Sequence, residues 1–327
     1  MSRQPVELAT RVGPIELPNP VATAAGTAGH GAELAAYFDL SELGALVVKS
    51  LSCAPWPGNA APRVHPVAGG MLNSVGLQGP GIPAWIDHVL PALERSGARV
   101  IASLWGTTVD DFARGAELFA AAPSAVVALE VNVSCPNRAE GGKMFAQSAE
   151  STAAVIAAAA GARRPLFAKL SATAPDLVEV AGAALAAGAA GLTLINTLPA
   201  MAIDLERRRP VLGAASGGLS GPALHAIAVR SVFECRRAFP TTGIFGVGGV
   251  LGGEDAIELL LAGADAVQVG TATLAEPKAA LRVLGEIVAW CERHGVAAVR
   301  ELVGAVHREP MPHQADGTSA RRNITNC

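Results

Sequence analysis

A thiol and two side-chain amides share one short stretch, Asn132-Val133-Ser134-Cys135-Pro136-Asn137, directly after an apolar run. A thiol becomes a base or a nucleophile once its pKa falls, because the thiolate is the reactive form. Each Asn adds a donor pair and an acceptor. A lone cysteine in a loop is otherwise a small buried hydrophobe, and the stretch by itself leaves both readings open. Two lysines, Lys49 and Lys169, each sit at the end of an apolar run. A buried ammonium needs an anionic partner, so each is either half of a structural ion pair or a ligand for an anionic molecule. Late in the chain, Gly246-Val247-Gly248-Gly249-Val250 and Gln268-Val269-Gly270-Thr271-Ala272 form two glycine-bearing turns. Glycine lets backbone N–H groups approach a phosphate closely, although it also serves ordinary turns, and the phosphate could belong to a substrate or to a cofactor.

These groups can act together only if the fold gathers them. β-rich runs at 21–24, 45–48, 99–104, 126–133, 166–170, 191–195, 244–247 and 266–269 alternate with helical segments at 109–121, 151–162, 174–187, 221–238 and 253–262. Eight such repeats predict an α/β fold, a closed (β/α)8 TIM barrel. An open doubly wound sheet is the runner-up, but no GxGxxG follows the first strand. Functional residues of a barrel sit at the C-terminal strand ends. In order these are Lys49-Ser50, Ser103, Asn132 with Cys135, Lys169-Leu170-Ser171, Asn196-Thr197, Gly248-Gly249 and Gly270-Thr271. Residues 8–11 and 15–17 flank Val12-Gly13-Pro14, a hairpin expected across the barrel floor. Long segments at 52–91 and 199–220 are expected as βα-loop insertions over the active face, with 52–66 and the loop after Pro136 as lid candidates. Within the second, Arg207-Arg208-Arg209-Pro210 reads as a solvated loop face. Residues 1–308 are expected to form a single barrel domain and 309–327, polar and aperiodic, a flexible tail.

Composition narrows the classes further. Half of the 327 residues are hydrophobic but only 4% are aromatic, so Ala, Val, Leu and Gly must fill the core. A net charge of −3 without a long run of one sign gives no footprint for a nucleic-acid backbone. Cys53, Cys135, Cys235, Cys291 and Cys327 are scattered without a CxxC pair, which suggests no metal site and a reducing cytoplasm. The N-terminus lacks the charged-then-apolar order of a signal peptide. No apolar stretch reaches the length of a bilayer span, and 153–160 reads as a packed helix.

A lysine beneath a phosphate-bearing cofactor suggests flavin mononucleotide (FMN), because a cation near flavin N1 stabilises the reduced, anionic ring. Lys169 is the candidate, which leaves Lys49 for a substrate anion. Oxidation of a C–C bond sends a hydride from one carbon to the flavin and needs a base for the proton on the neighbouring carbon, a role open to Cys135.

From the hairpin to about residue 305, the chain resembles the class 1 dihydroorotate dehydrogenases. The motifs that carry this are Lys49-Ser50, Gly70-Met71-Leu72-Asn73-Ser74-Val75-Gly76-Leu77-Gln78, the Asn132 to Asn137 stretch, Lys169-Leu170-Ser171, Asn196-Thr197, Gly217-Gly218-Leu219-Ser220-Gly221, Gly248-Gly249 and Gly270-Thr271-Ala272. The resemblance implies an FMN barrel that oxidises dihydroorotate to orotate in de novo pyrimidine biosynthesis, with Cys135 as the base. Membrane-associated class 2 enzymes place Ser in that role. By position, Lys49, Asn73, Val75, Gly76, Leu77, Asn132, Asn137, Asn196 and Thr197 would hold the substrate. FMN would rest on Ala24, Ala25, Gly26, Lys49, Ser50, Asn132, Lys169, Ile195, Ser220, Gly221, Gly248, Gly249, Gly270 and Thr271.

The chain departs from the family pattern at three places. Ala25 stands where Ser is usual, Gly79 where Asn is common, and Ser103 where Asn is frequent. Class 1 relatives are implied to work as homodimers that use fumarate, or to reach NAD through a second subunit carrying FAD and an iron–sulfur cluster. The stretches at 70–78 and 140–145 look closer to the NAD-linked subtype. Competing readings are a flavin barrel like the tRNA dihydrouridine synthases, which the acidic balance and the lack of a basic C-terminal domain oppose, and a non-catalytic flavin-binding barrel. Neither a nucleic-acid partner nor a membrane span is expected.

Overall fold

The computed structural model describes residues 5–134 and 145–308. Cys135, Asn137, residues 140–144 and the expected tail at 309–327 lie outside the described residues.

The chain begins with β1 (Thr10–Val12) and β2 (Ile15–Leu17), an antiparallel hairpin turned at Gly13. The barrel starts at β3 (Val21–Thr23) and β4 (Leu46–Val47). An insertion carrying β5 (Val64–Val67) and β6 (Gly70–Asn73) follows. The barrel resumes with β7 (Val100–Leu104), β8 (Val126–Asn132), β9 (Leu166–Leu170) and β10 (Gly191–Leu194). A second insertion holds β11 (Leu198–Ala200), β12 (Ile203–Asp204), β13 (Arg209–Pro210) and β14 (Gly217–Ser220). Then β15 (Gly243–Val247) and β16 (Ala266–Val269) complete the ring. Its order is β3-β16-β15-β10-β9-β8-β7-β4, and a parallel bridge between Ala22 and Ala45 joins the two end strands. The sheet is therefore the closed eight-stranded barrel that the alternation predicts.

Helices pack outside it: α1 (Ile82–His88), α2 (Leu90–Arg95), α3 (Val109–Ala120), α4 (Ala149–Ala158), α5 (Leu177–Ala186), α6 (His225–Ala238), α7 (Gly253–Ala262), α8 (Thr271–Ala275) and α9 (Ala279–His294). The starts of α3, α4 and α5 follow capping chemistry. Thr108 Oγ1 accepts from Asp111 N at 3.1 Å while Asp111 Oδ2 accepts from Thr108 N at 3.0 Å, a capping box that opens α3. Asp176 accepts from Glu179 N, so α5 begins at Leu177 rather than at the expected 174. Ser148 caps α4 in the same way, so that helix begins at Ala149, two residues before the expected start, and its expected 159–162 end tightens into a 3-10 turn.

The floor is apolar. Val12, Ile15 and Leu17 of the hairpin meet Ala22, Val47, Ile101, Phe167 and Phe245 inside the barrel. Phe167 and Phe245 pack edge to face with centroids 5.1 Å apart, which supplies interior volume that the small strand residues lack. At Gly13 (φ +55°) a Cβ would come within 2.7 Å of the Ala190 carbonyl oxygen, so the turn can lie flat on the barrel backbone only as glycine.

The two insertions read as loops in the sequence. The structure instead pairs them with each other in a four-stranded antiparallel sheet of order β11-β14-β6-β5, with Gly218 opposite Asn73 and Leu219 opposite Leu72. Arg207, Arg208 and Arg209 are exposed, as expected of a solvated face. No helix among the described residues is long and apolar enough to cross a membrane.

Phe167 is fully buried beneath the site. Phe167→Ala is expected to lower unfolding stability by about 3–5 kcal/mol through the lost transfer energy and the cavity left behind. Urea denaturation monitored by circular dichroism measures it, and a loss under about 1 kcal/mol would contradict this account of the floor.

Candidate active site

Strand ends and the insertion sheet enclose one cavity of about 280 Å³. Its walls show how each sequence-predicted residue is placed. Ala24, Ala25 and Gly26 follow β3, Lys49 and Ser50 follow β4, Asn132 ends β8, and Lys169 lies on β9. Ile195, Asn196 and Thr197 follow β10, Gly248 and Gly249 follow β15, and Gly270 and Thr271 follow β16. The insertion sheet contributes Asn73, Ser220 and Gly221, with Val75, Gly76 and Leu77 just beyond β6. Every described residue assigned to substrate or FMN thus lines the same space, whereas the strand-end residues Ser103, Leu170 and Ser171 do not. Cys135 and Asn137 fall outside the described residues.

A chain of hydrogen bonds runs along the strand ends with Asn132 at its centre. Asn132 Nδ2 donates to Ser50 Oγ at 3.1 Å, and Ser50 Oγ lies 2.8 Å from Ser103 Oγ. Asn196 Nδ2 donates to Asn132 Oδ1 at 3.1 Å and to Ser134 Oγ at 2.8 Å. Ser134 Oγ donates in turn to the Lys169 carbonyl oxygen at 2.8 Å. Buried amides satisfied at both ends cannot rotate without leaving a group unpaired, which costs about 1–3 kcal/mol. Ser103 stands behind the cavity wall, where its hydroxyl steadies that of Ser50.

The opposite wall is built from backbone. Gly249 has φ +72°, and a Cβ there would stand 2.6 Å from His225 Cβ. His225 Nδ1 lies 3.0 Å from the Gly248 carbonyl oxygen and pins the turn. Thr271 Oγ1 donates to Ser220 Oγ at 2.9 Å, tying the end of β16 to the insertion sheet, and Asn73 Nδ2 reaches the Gly218 carbonyl oxygen at 3.3 Å.

Lys169 has a buried partner. Its Nζ lies 3.0 Å from Glu130 Oε1, and Gln268 Nε2 donates to Glu130 Oε2 at 3.1 Å. The ammonium is thus paired and faces the cavity at once, so the two alternatives set out for the lysines coexist in Lys169. Glu130 and Gln268 were not among the predicted site residues. The signal was present: a Glu at i−2 from Asn132 and a Gln at i−2 from Gly270, each inside an apolar strand and so on the same face as a mouth residue. Gln268 Oε1 is buried without a hydrogen-bond partner among the described residues. That orphan acceptor, the paired ammonium and the close-set glycine turn make a donor and acceptor set that fits a phosphate-bearing flavin.

The sequence profile of dihydroorotate dehydrogenase matches residues 7–290. The chain belongs to the dihydroorotate dehydrogenase family. It is 46% identical over 304 residues to the catalytic subunit of dihydroorotate dehydrogenase B (NAD(+)) from Desulforudis audaxviator, covering 93% of this chain and 98% of that one. The protein of the same description from Trichlorobacter lovleyi is 45% identical over 300 residues, 91% of this chain and 98% of the relative. Among solved structures, a dihydroorotate dehydrogenase from Eimeria tenella in complex with ferulenol superposes with a TM-score of 0.75 at 24% identity, covering 93% of this chain and 89% of that one, a likeness of fold. Within the family frame, the cavity at the barrel mouth is the candidate active site.

Outside that cavity, Cys235 and Cys291 are fully buried. Burial pushes the Cys235 thiol up to about 12, with Glu234 and Asp176 adding to the shift, and it raises Cys291 as well. A raised thiol pKa keeps the sulfur protonated and unreactive. Both cysteines are expected to resist iodoacetamide at pH 8 in the folded protein and to label after denaturation. Mass spectrometry showing rapid native labelling of either would contradict the burial described here.

Proposed function

We propose that the chain is the catalytic subunit of an NAD-linked dihydroorotate dehydrogenase, with FMN as its flavin, working in the cytoplasm. It oxidises dihydroorotate to orotate for pyrimidine biosynthesis. The observation that carries this reading is the single cavity in which Lys49 and three Asn side chains face two glycine turns. Dihydroorotate is a small anionic cyclic ureide, so an ammonium and a ring of amides are its complement.

The backbone of Gly248, Gly249, Gly270 and Thr271 would hold the FMN phosphate. Ala24, Ala25, Gly26, Lys49, Ser50, Asn132, Lys169, Ile195, Ser220 and Gly221 would surround the rest. When bound, FMN supplies the hydride acceptor. The protein's residues do the remainder. Lys49 holds the substrate carboxylate. Asn73, Asn132, Asn137, Asn196 and Thr197, with the backbone of Val75, Gly76 and Leu77, hold the ring edges. Asn132 is fixed for this by Ser50 on one side and Asn196 on the other. Cys135 takes the proton from the carbon beside the one that loses hydride. Support for that role is its place in the chain, one residue after Ser134, whose hydroxyl is anchored on the Lys169 carbonyl. The insertion sheet and the 52–66 segment limit water at the mouth.

The electrons must leave through a partner. The chain has no cysteine cluster of its own, so reaching NAD calls for a second subunit bearing FAD and an iron–sulfur cluster, attached to a homodimer of this chain.

Anaerobic addition of dihydroorotate is expected to bleach the bound flavin of the wild-type protein, and a flavin that stays oxidised would sink the reading. Cys135→Ala is expected to keep its yellow flavin while stopped-flow reduction slows by about 100- to 10,000-fold, the usual weight of a general base. Reduction at the wild-type rate would remove Cys135 from that role. Steady-state assays of the chain alone are expected to show little NAD turnover, rising when the partner subunit is added.

A further inference from the structure

Glu130 is 0% exposed, and the chemistry above gives it no role. Side chains alternate along β8, so Glu130 points into the barrel beside Asn132 but one layer further from the mouth. It accepts from two strands at once. Lys169 comes from β9, the neighbouring strand, and Gln268 from β16, which β8 reaches only across the interior of the ring. Lys169 and Gln268 line the cavity, whereas Glu130 stands behind them. An ionised carboxylate only accepts, so Gln268 must turn its amide NH2 towards Glu130. That orientation leaves Gln268 Oε1 as an acceptor without a partner among the described residues.

We propose that Glu130 is a positioning residue that sets the reduction potential of the bound flavin through Lys169 and Gln268. This rests on the flavin reading given above. Glu130 fixes the ammonium and the amide of two cavity-lining side chains, and its charge offsets that of Lys169. With the pair intact, the net charge beneath the flavin is zero. Removing the carboxylate leaves a bare cation that favours the reduced, anionic ring, and a buried site amplifies the effect because screening is weak there.

The test is the midpoint potential of the flavin-loaded protein, measured by anaerobic dye equilibration in the wild type, Glu130→Gln, Lys169→Met and the double variant. Glu130→Gln is expected to be highest, the wild type and the double variant to lie together, and Lys169→Met to be lowest. The step from wild type to Glu130→Gln is expected to reach at least tenfold in the reduction equilibrium, about 30 mV for a two-electron couple. A Glu130→Gln potential at or below the wild type overturns the proposal, as does a double variant that matches Lys169→Met. Each single change strands a buried charge, which can prevent folding, whereas removing both is often tolerated. If neither single variant holds flavin, the double variant decides: a wild-type potential supports the proposal and a displaced one overturns it. A wild-type chain that binds no flavin overturns the functional reading and this proposal together, while flavin-bound variants without a shift overturn this proposal alone.

Discussion

The site depends on the seam where the barrel closes. Around the ring, β4 pairs with β7 and β3 with β16, but β3 and β4 meet through few backbone bonds: Gly44 N to the Val21 carbonyl at 2.8 Å and Thr23 N to the Ala45 carbonyl at 3.3 Å. Two buried side chains complete the ladder. Asn19 Oδ1 accepts from Val21 N and Gly44 N while its Nδ2 donates to the Glu42 carbonyl. Thr23 Oγ1 accepts from Val47 N at 3.0 Å and donates to the Val47 carbonyl at 3.2 Å, doing the work of a missing backbone pair. Buried backbone groups must find partners, and here polar side chains supply them. The residues immediately after this seam are Ala24 to Gly26 on one strand and Lys49 with Ser50 on the other, so closure places two walls of the cavity side by side.

From the seam, the polar mouth extends as one connected object. Ser50 leads to Asn132, Asn132 to Asn196, and Asn196 through Ser134 to the backbone of Lys169, crossing from β4 to β10. Below these hydrogen bonds lies the buried layer of Glu130, Lys169 and Gln268, and beneath that the floor is apolar, built from small residues around Phe167 and Phe245 that exclude water. Above, the sheet of both insertions contributes Asn73 and Ser220, and Thr271 ties that sheet back to the last barrel strand. A rigid floor, a bonded rim and a roof fixed to both give a site whose groups are held before any ligand arrives, which is where enzymes gain most of their electrostatic advantage.

Much of this was legible in the chain because strand period and capping are local. The eight apolar runs, the glycine turns after β15 and β16, and the Asn and Lys residues at strand ends each announce themselves within a few residues. The insertion sheet did not. Gly217 to Ser220 and Gly70 to Asn73 carry no alternation that marks a strand, and each pairs with a segment in the other insertion. The role of Glu130 is hidden from the sequence for a related reason. A Glu within an apolar strand declares that it is buried but not what it meets, and its partner Gln268 is brought near only by the curvature of the barrel.

The sequence by itself determined the alternation of strand and helix, the order of polar residues at the strand ends and, through motif spacing, the family. Those properties depend on neighbours a few residues apart. Only the tertiary structure decided that Lys169 is paired, that the amide of Gln268 turns to Glu130 and that two insertions form one roof. Each of these follows from distant segments brought together by ring closure and by the need of buried charges and amides for partners, and none can be read from local pattern.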